Sequence, residues 1–570
     1  MRVPSLEWIK NYKRSDLKGD FSAGITVGIM LIPQGMAYAM IAGLPPIYGL
    51  YASIIPIIIY AFLGTSRQLA VGPVAMVSLL TATGIAAMAE SGTDTYILLA
   101  ITLALLVGLI QFLLGIFRLG FLVRFLSHPV ISGFTSAAAL IIGLSQLKHL
   151  LGVNLPRSHH IHEIIMDAVK SIDLTHIPTL LIGLGGIALI ILIKRIKKSF
   201  PAALVVVVLS ILVVSVFNLH ESGVKIVGTV PEGLPGFSMP SFDMDAWSSL
   251  IFIALAISLV SFMESIAVAK AIQAKHNNYK IDPNQELIAL GLANVGGSFF
   301  QSYPTTGGFS RTAVNNDAGA KTGMASIISV ALIVITLLFF TPLFYYLPNA
   351  VLASIIMVAV FGLIDYKEAI HLWNVDKTDF MLLLLTFLAT SSLGIEMGIG
   401  IGVALSLGLL IFRTSSPHIA ELGKVKGTNT FRNILRFSDL ETYDDIIILR
   451  PDAQLYFANI DSLKETVEEK IEGKPTDVKY LILNAESVSH MDSTAVQSLR
   501  NLNNELSGRG ITLLLSGVIG PVRDILEKSH LVDDLGKEHF FMNLDNAVKY
   551  ATGKGSLPES KEEITLQSYH

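Results

Sequence analysis

Thr305-Thr306-Gly307-Gly308-Phe309-Ser310-Arg311-Thr312 decides the reading of this chain, together with its counterpart Gln68-Leu69-Ala70-Val71-Gly72-Pro73-Val74-Ala75. Each places helix-breaking residues just before a new apolar stretch, so each is expected to open a short helix inside a membrane rather than at its edge. Interrupted segments at corresponding places in two halves of a membrane chain point to a transporter's binding site. The second carries an arginine, and two helix N-termini beside an arginine suit an anion.

Composition supports a membrane setting. The 570 residues are 52% hydrophobic and 15% charged, with a mean hydropathy of +0.60, whereas an ordinary soluble chain is about 25% charged. The absence of cysteine rules out disulfides, thiolate catalysis and cysteine-held metals. The net charge of -4 mixes a membrane part with a soluble part and says little about partners.

Apolar runs near the ~20-residue length of a spanning helix recur from Phe21 to Phe412. Fourteen segments are expected, near 21–42, 45–63, 70–88, 95–117, 128–150, 177–194, 201–217, 246–272, 285–300, 309–316, 322–341, 348–364, 378–394 and 396–414. The third and tenth are short, and the tenth cannot span. Their matching positions suggest seven plus seven segments, and an odd number per half makes the halves inverted relative to each other. If the spans alternate, Lys10, Lys13, Arg14, Lys18, Arg67, Arg118, Arg124, Lys194, Arg195, Lys270, Lys275, Lys321, Lys377 and Arg413 share one side. The positive-inside rule then makes both termini cytoplasmic and turns the long loops 151–176 and 218–245 outward. The expected location is a bacterial inner (plasma) membrane.

The pattern changes after Phe412. Residues 417–440 read as a linker after a membrane domain at 1–416. Short β-rich runs then alternate with amphipathic helices at 445–450, 454–458, 462–471, 478–484, 493–506, 511–516 and 522–528. That alternation argues a small α/β domain over 441–553. The polar tail 554–570 is expected to be disordered.

Two intramembrane charges stand out. Arg311 sits at a helix start, where a charged side chain inside a bilayer faces a cavity or a partner; Ser310 adds a hydroxyl beside it. Glu264 lies in the apolar run Leu259-Val260-Ser261-Phe262-Met263-Glu264-Ser265-Ile266. Beside an anion site its carboxylate would repel the substrate unless protonated, which makes it the candidate for proton coupling. A permanent salt bridge between Glu264 and Arg311 is the structural alternative. Pro33-Gln34-Gly35 puts a breaker within the first segment, and Gln34 and Tyr38 share a helix face at i, i+4.

These residues carry a likeness. Pro33-Gln34-Gly35-Met36-Ala37-Tyr38-Ala39, Leu44-Pro45-Pro46-Ile47-Tyr48-Gly49-Leu50-Tyr51, Gly64-Thr65-Ser66-Arg67 and Ser310-Arg311-Thr312-Ala313-Val314-Asn315 resemble the SulP sulfate-permease family, and the C-terminal domain resembles STAS domains. The likeness runs over about 16–552. It implies an α-helical polytopic domain of fourteen segments in a seven-plus-seven inverted repeat, similar to uracil permeases, followed by a small cytoplasmic α/β STAS domain. It also implies elevator-like alternating access and a homodimer. The family's binding positions map onto Gln34, Tyr38, Val74, Ala75, Phe309, Ser310 and Arg311. Sodium-coupled bicarbonate members have an aspartate where this chain has Glu264; members that look proton-coupled have glutamate. In the STAS domain His490-Met491-Asp492-Ser493-Thr494-Ala495 resembles a loop whose serine, here Ser493, is phosphorylated in antagonist proteins, although Asp492 or Ser493 would also serve simply as a helix cap.

The expected function is secondary active anion transport, with proton-coupled sulfate symport leading. Bicarbonate or dicarboxylate uptake, anion exchange, and a channel or sensor signalling through the STAS domain stay open. Expected partners are a small inorganic or organic anion, protons, a second copy of the chain, the lipid bilayer and a cytoplasmic regulator of the STAS domain; no nucleic acid, cofactor or metal is expected. No phosphate-binding G-x-x-x-x-G-K-[ST] loop occurs, so that device for ATP-driven pumping is absent, and no enzyme is expected.

Overall fold

The computed structural model describes residues 5–121, 127–155, 161–196, 201–274, 276 and 279–554. The chain divides into two compact units, Met1–Ser406 and Leu407–His570. Residues 555–570 of the expected tail 554–570 lie outside the described residues, as do Arg124 and Lys275.

Each expected apolar segment falls on a helix or a broken pair of helices. The first half holds α1 (Ser5–Lys10), α2 (Arg14–Ile41), α3 (Ile47–Tyr51) and α4 (Ile55–Leu63), then strand β1 (Val71–Gly72) and α5 (Ala75–Ala86). It continues with α6 (Asp94–Ile116), α7 (His128–Ser145), α8 (Leu147–Leu151), α9 (Ile161–Lys170), α10 (Ile177–Ile196) and α11 (Ala202–Val216). The second half holds α12 (Met244–Gln273), α13 (Pro283–Ser298), strand β2 (Thr306–Gly307) and α14 (Phe309–Asp317). It closes with α15 (Met324–Phe339), α16 (Asn349–Phe361), α17 (Tyr366–Val375), α18 (Lys377–Leu393) and α19 (Ile395–Ser415).

Six helices or helix pairs are long and apolar enough to cross a membrane among the described residues. The short ones carry the meaning. At 1.5 Å per residue, the nine residues of α14 cover about 14 Å, less than half of a ~30 Å hydrocarbon core. Extended chain supplies the remaining depth, and bare backbone at that depth is tolerated only when buried in protein or lining a cavity. β1 and β2 meet that condition, with both residues of each buried.

Burial separates two kinds of helix. Most of α2 is enclosed, whereas α10 exposes Leu181, Leu184, Ile191 and Leu192 along its length, as a lipid-facing helix does. α6 and α13 pack closely because Gly108 and Gly291 remove the side chains between them. A Cβ at Gly108 would stand 2.6 Å from the Val295 nitrogen, and one at Gly291 would stand 2.6 Å from that of Phe112.

Three expectations need correction. The helix α2 continues through Pro33 rather than breaking there. The loop 151–176 contains the amphipathic helix α9, which buries Ile164 and Ala168; at ten residues it is too short to register as an apolar run. The stretch 417–440, read as a linker, carries strands β3 (Ile419–Val425) and β4 (Phe431–Asn433). Its glycines and charges hide an alternation in which Ala420, Leu422 and Phe431 turn inward.

The second unit is a seven-stranded sheet completed by β5 (Leu440–Glu441), β6 (Ile446–Pro451), β7 (Tyr480–Asn484), β8 (Thr512–Ser516) and β9 (Phe540–Phe541). The order is β4-β3-β6-β7-β8-β9, with β5 beside β3. β6 to β9 run parallel and β3 to β5 add antiparallel neighbours. Period-two alternation explains how continuous apolar strands serve two cores. Ile447, Leu449, Leu481, Leu483, Leu513 and Leu515 face α20 (Ile460–Glu472), α21 (Ser493–Gly508), α22 (Gly520–Lys528) and α23 (Leu531–Leu535). Ile446, Ile448, Ile482 and Leu514 face α24 (Leu544–Ala551).

Candidate functional site

The two interrupted segments meet. β1 pairs antiparallel with β2, Val71 opposite Gly307 and Gly72 opposite Thr306. The ribbon continues in Gly308 N–H, which donates to the Ala70 carbonyl (3.0 Å), and in Ala70 N–H, which donates to Thr312 Oγ1 (3.0 Å). Gly72 has a φ of 145°, closed to residues with a side chain. At Gly308 a Cβ would stand 2.9 Å from Arg311 Nη2, so a larger residue there would push the guanidinium aside.

Both chains turn from strand into helix at once. The caps Val74 and Gly308 are extended and provide no side-chain bond to the first turn of α5 or α14. The first-turn N–H groups are therefore available to a ligand, and the positive ends of two helices belong to one ribbon.

Arg311 lies across this ribbon, 2% exposed. Its Nη1 donates to the Pro73 carbonyl at 2.6 Å, one residue before the cap of α5. Its Nε and Nη2 have no hydrogen-bond partner among the described residues. Glu264, Tyr38 and Tyr303 lie within its electrostatic reach. Glu264 Oε2 and Gln34 Oε1 also lack partners. Buried polar atoms are nearly always paired, so Arg311 with two unpartnered nitrogens and Glu264 within its electrostatic reach are evidence of a site.

The walls are cross-linked. Ser265 Oγ, next to Glu264, accepts Gly307 N–H (2.9 Å), and Thr306 Oγ1 donates to the Ser261 carbonyl (2.7 Å). Tyr303 and Ser78 pair through their hydroxyls at 3.2 Å, tying the approach to β2 to α5. Asn315 Nδ2 donates to the Gln68 carbonyl (2.8 Å) and Gln68 Nε2 to that of Ala320 (3.2 Å).

Of the residues singled out in the sequence, Arg311, Glu264 and Tyr38 are brought together electrostatically, with Gln34 one turn before Tyr38 on α2. Val74 and Ala75 are buried at the start of α5, whereas Phe309 and Ser310 are exposed at the start of α14. Ser493 belongs to the other unit, exposed as the first residue of α21. Asp492 supplies that helix cap: its Oδ1 accepts Ala495 N–H at 2.8 Å and its Oδ2 accepts Phe457 N–H at 3.0 Å. Sequence reasoning missed Tyr303, Ser265, Thr306 and Asn294, small or neutral side chains whose partners lie in other helices. Among the described residues no cluster of His, Asp and Glu could hold a metal ion.

A polytopic helical unit in which two helix starts share one ribbon with a buried arginine, followed by a mixed α/β domain, defines a membrane transporter with an appended α/β domain. A model described as the Sulfate permease family matches residues 17–386, and a STAS domain model matches 438–547. Sulfate transporter 4.1, chloroplastic, of Arabidopsis thaliana is 43% identical over 564 residues, covering 96% of this chain and 82% of that protein. High affinity sulfate transporter 2 of Stylosanthes hamata is 35% identical over 567 residues, covering 96% and 85%. The solved structure of the murine Solute Carrier 26 family member A9 (Slc26a9) anion transporter in the inward-facing state superposes with a TM-score of 0.89 at 27% identity, covering 97% of this chain and 94% of that one. The chain belongs to the sulfate permease family and is an integral membrane transporter, not an enzyme.

Proposed function

We propose that this protein is a secondary active transporter of small anions, with sulfate as substrate and protons as the coupling ion. The carrying observation is Arg311. A buried guanidinium with two unpartnered nitrogens, beside two uncapped helix starts, is a cationic site suited to an anion. The names of the relatives, sulfate transporters and an anion transporter, point the same way.

The mechanism follows from charge. A divalent oxyanion would take hydrogen bonds from first-turn N–H groups and from Ser310, with Arg311 as fixed positive charge and Gln34 and Tyr38 closing the site from α2. Glu264, as a carboxylate, opposes entry of a second negative charge; with a proton on it the anion loads. Substrate and proton then bind together, which is symport. Because ribbon, α12 and α14 are bonded into one body, the site would travel as a unit, and elevator-like alternating access suits it. The fourteen segments in two inverted halves, both termini cytoplasmic, a homodimer and regulation through the STAS domain and Ser493 belong to the same proposal.

The test is radiolabelled sulfate uptake into proteoliposomes, with and without acid outside, competed by bicarbonate, oxalate and dicarboxylates. Accumulation driven by the proton gradient supports the reading. A folded preparation that takes up no sulfate would overturn it, and the competing anion that enters would name the substrate.

A further inference from the structure

We propose that α13 is the positioning element of the anion site, and that Asn294 fixes where the second helix start stands. The inference rests on the anion-site reading above and adds residues that touch no substrate.

Asn294 is buried at 1% exposure and grips one residue on three sides. Its Oδ1 accepts both Thr305 N–H (2.8 Å) and Thr305 Oγ1–H (3.1 Å). Its Nδ2 donates to the Thr305 carbonyl (3.1 Å) and to Gln111 Oε1 (3.2 Å). Thr305 is the last residue before β2, so this amide sets the position of the strand that launches α14 and Arg311. The network continues: Gln111 Nε2 donates to Ser261 Oγ (2.7 Å), one turn before Glu264 on α12. Only a carboxamide suits this place. A carboxylate could not donate to the Thr305 carbonyl, and it would add negative charge behind an anion site.

The same helix holds the other launch. Glu286, two turns earlier on α13, accepts Thr65 N–H (2.6 Å), Thr65 Oγ1–H (2.6 Å) and Ser66 N–H (3.1 Å). Ser66 Oγ in turn accepts Leu69 N–H at 3.2 Å, on the approach to β1. One helix therefore fixes both strands of the ribbon, and through them the separation of the two helix starts. Close packing of α13 on α6 makes that helix a stiff reference.

The experiment compares full-length wild type, Asn294→Ala and Thr305→Val in proteoliposomes. KM and kcat are read for whichever of sulfate, bicarbonate, oxalate or chloride the wild type takes up. Asn294→Ala removes the grip on Thr305 and is expected to raise KM by about tenfold, with folded protein normalised by size-exclusion profile. Thr305→Val removes a single hydroxyl from the grip, keeps the shape and is expected to raise KM about threefold; it decides the question if the alanine variant fails to fold. Unchanged KM in a folded variant, or losses of kcat that merely track melting temperature, would overturn the positioning role. A wild type that takes up none of the four anions overturns the anion-site reading itself, which separates the two failures.

Discussion

Two glutamates in the membrane unit show what burial alone does not reveal. Glu286 is fully enclosed and every strong donor around it is aimed at its carboxylate: Tyr60 Oη (2.7 Å), Thr65 N and Oγ1, and Ser66 N. Glu264 is half-buried, and its Oε2 has no partner. The first is a structural clamp across more than 200 residues of chain; the second lies within electrostatic reach of Arg311, itself short of two partners. Asp20 repeats the clamp, accepting Lys321 N–H (2.6 Å), Thr322 N–H (3.0 Å) and Thr322 Oγ1–H (2.6 Å). A satisfied charge holds loops in register, whereas an unsatisfied one stores binding capacity that a ligand or proton can use.

The comparison breaks if clamp and site respond alike to mutation. Arg311→Gln is expected to cut initial anion uptake by about 100-fold or more while leaving the melting temperature in detergent unchanged or higher. An unpaired buried cation burdens the fold, so its removal costs little there. Glu286→Ala is expected to act on the fold first, with any change in uptake coming through the displaced β1 launch, since three donors at Thr65 and Ser66 lose their acceptor at about 1–3 kcal/mol each. Its readout is a lower melting temperature and a poorer folded yield. An Arg311→Gln protein that melts as early as Glu286→Ala would show that the orphaned atoms are merely structural.

A smaller, sharper effect belongs to Glu264. Glu264→Gln keeps the volume and neutralises the charge, mimicking the protonated state. Binding of the anion, followed by thermal stabilisation, is expected to survive. Acceleration of uptake by external acid is expected to disappear, with rates across pH 5.5–7.5 agreeing within about twofold. A variant that still accumulates anion against its gradient under acid drive would place proton coupling elsewhere.

How much of this was legible in the sequence divides along the same line. The fourteen apolar segments could be read because hydropathy is local, and both interruptions because glycine and proline punctuate locally as well. Arg311 and Glu264 were visible because a charge among apolar residues is costly wherever the chain goes. The clamps were not, because Glu286 and Thr65 are separated by 221 residues and Asp20 and Thr322 by 302; no pattern along the chain links them. Asn294 was invisible for another reason: one amide in a helix is ordinary, and only its partner, a backbone with both hydrogen-bonding groups turned toward it, gives it meaning. Pro33 misled in the opposite direction, since a missing N–H frees one carbonyl without forcing the flanking turns apart when neighbouring helices confine them.

The α/β unit supplies a third kind of charge, paired but close to solvent, and with it the smallest effect. Asp545 on α24 accepts from Lys424 of β3 (2.6 Å) and pairs with Lys549 (2.7 Å), stapling the helix to the sheet. Burial pushes its carboxyl up, but the hydrogen bonds and charges of the two lysines outweigh that and hold it below the usual carboxylate range. The sign follows: a depressed folded value contributes stability that is present above the unfolded value of about 3.9 and is lost as pH falls through the folded one. Asp545→Asn is expected to cost ~1 kcal/mol or less, read as faster amide exchange in α24 of the full-length protein at pH 7. The difference from wild type should be reduced by high salt and should shrink as pH falls below the unfolded value of about 3.9 and through the lower folded one. If it persists undiminished as acid is added, packing of Leu544 and Val548 on the sheet, rather than the charge between them, is what holds α24 in place.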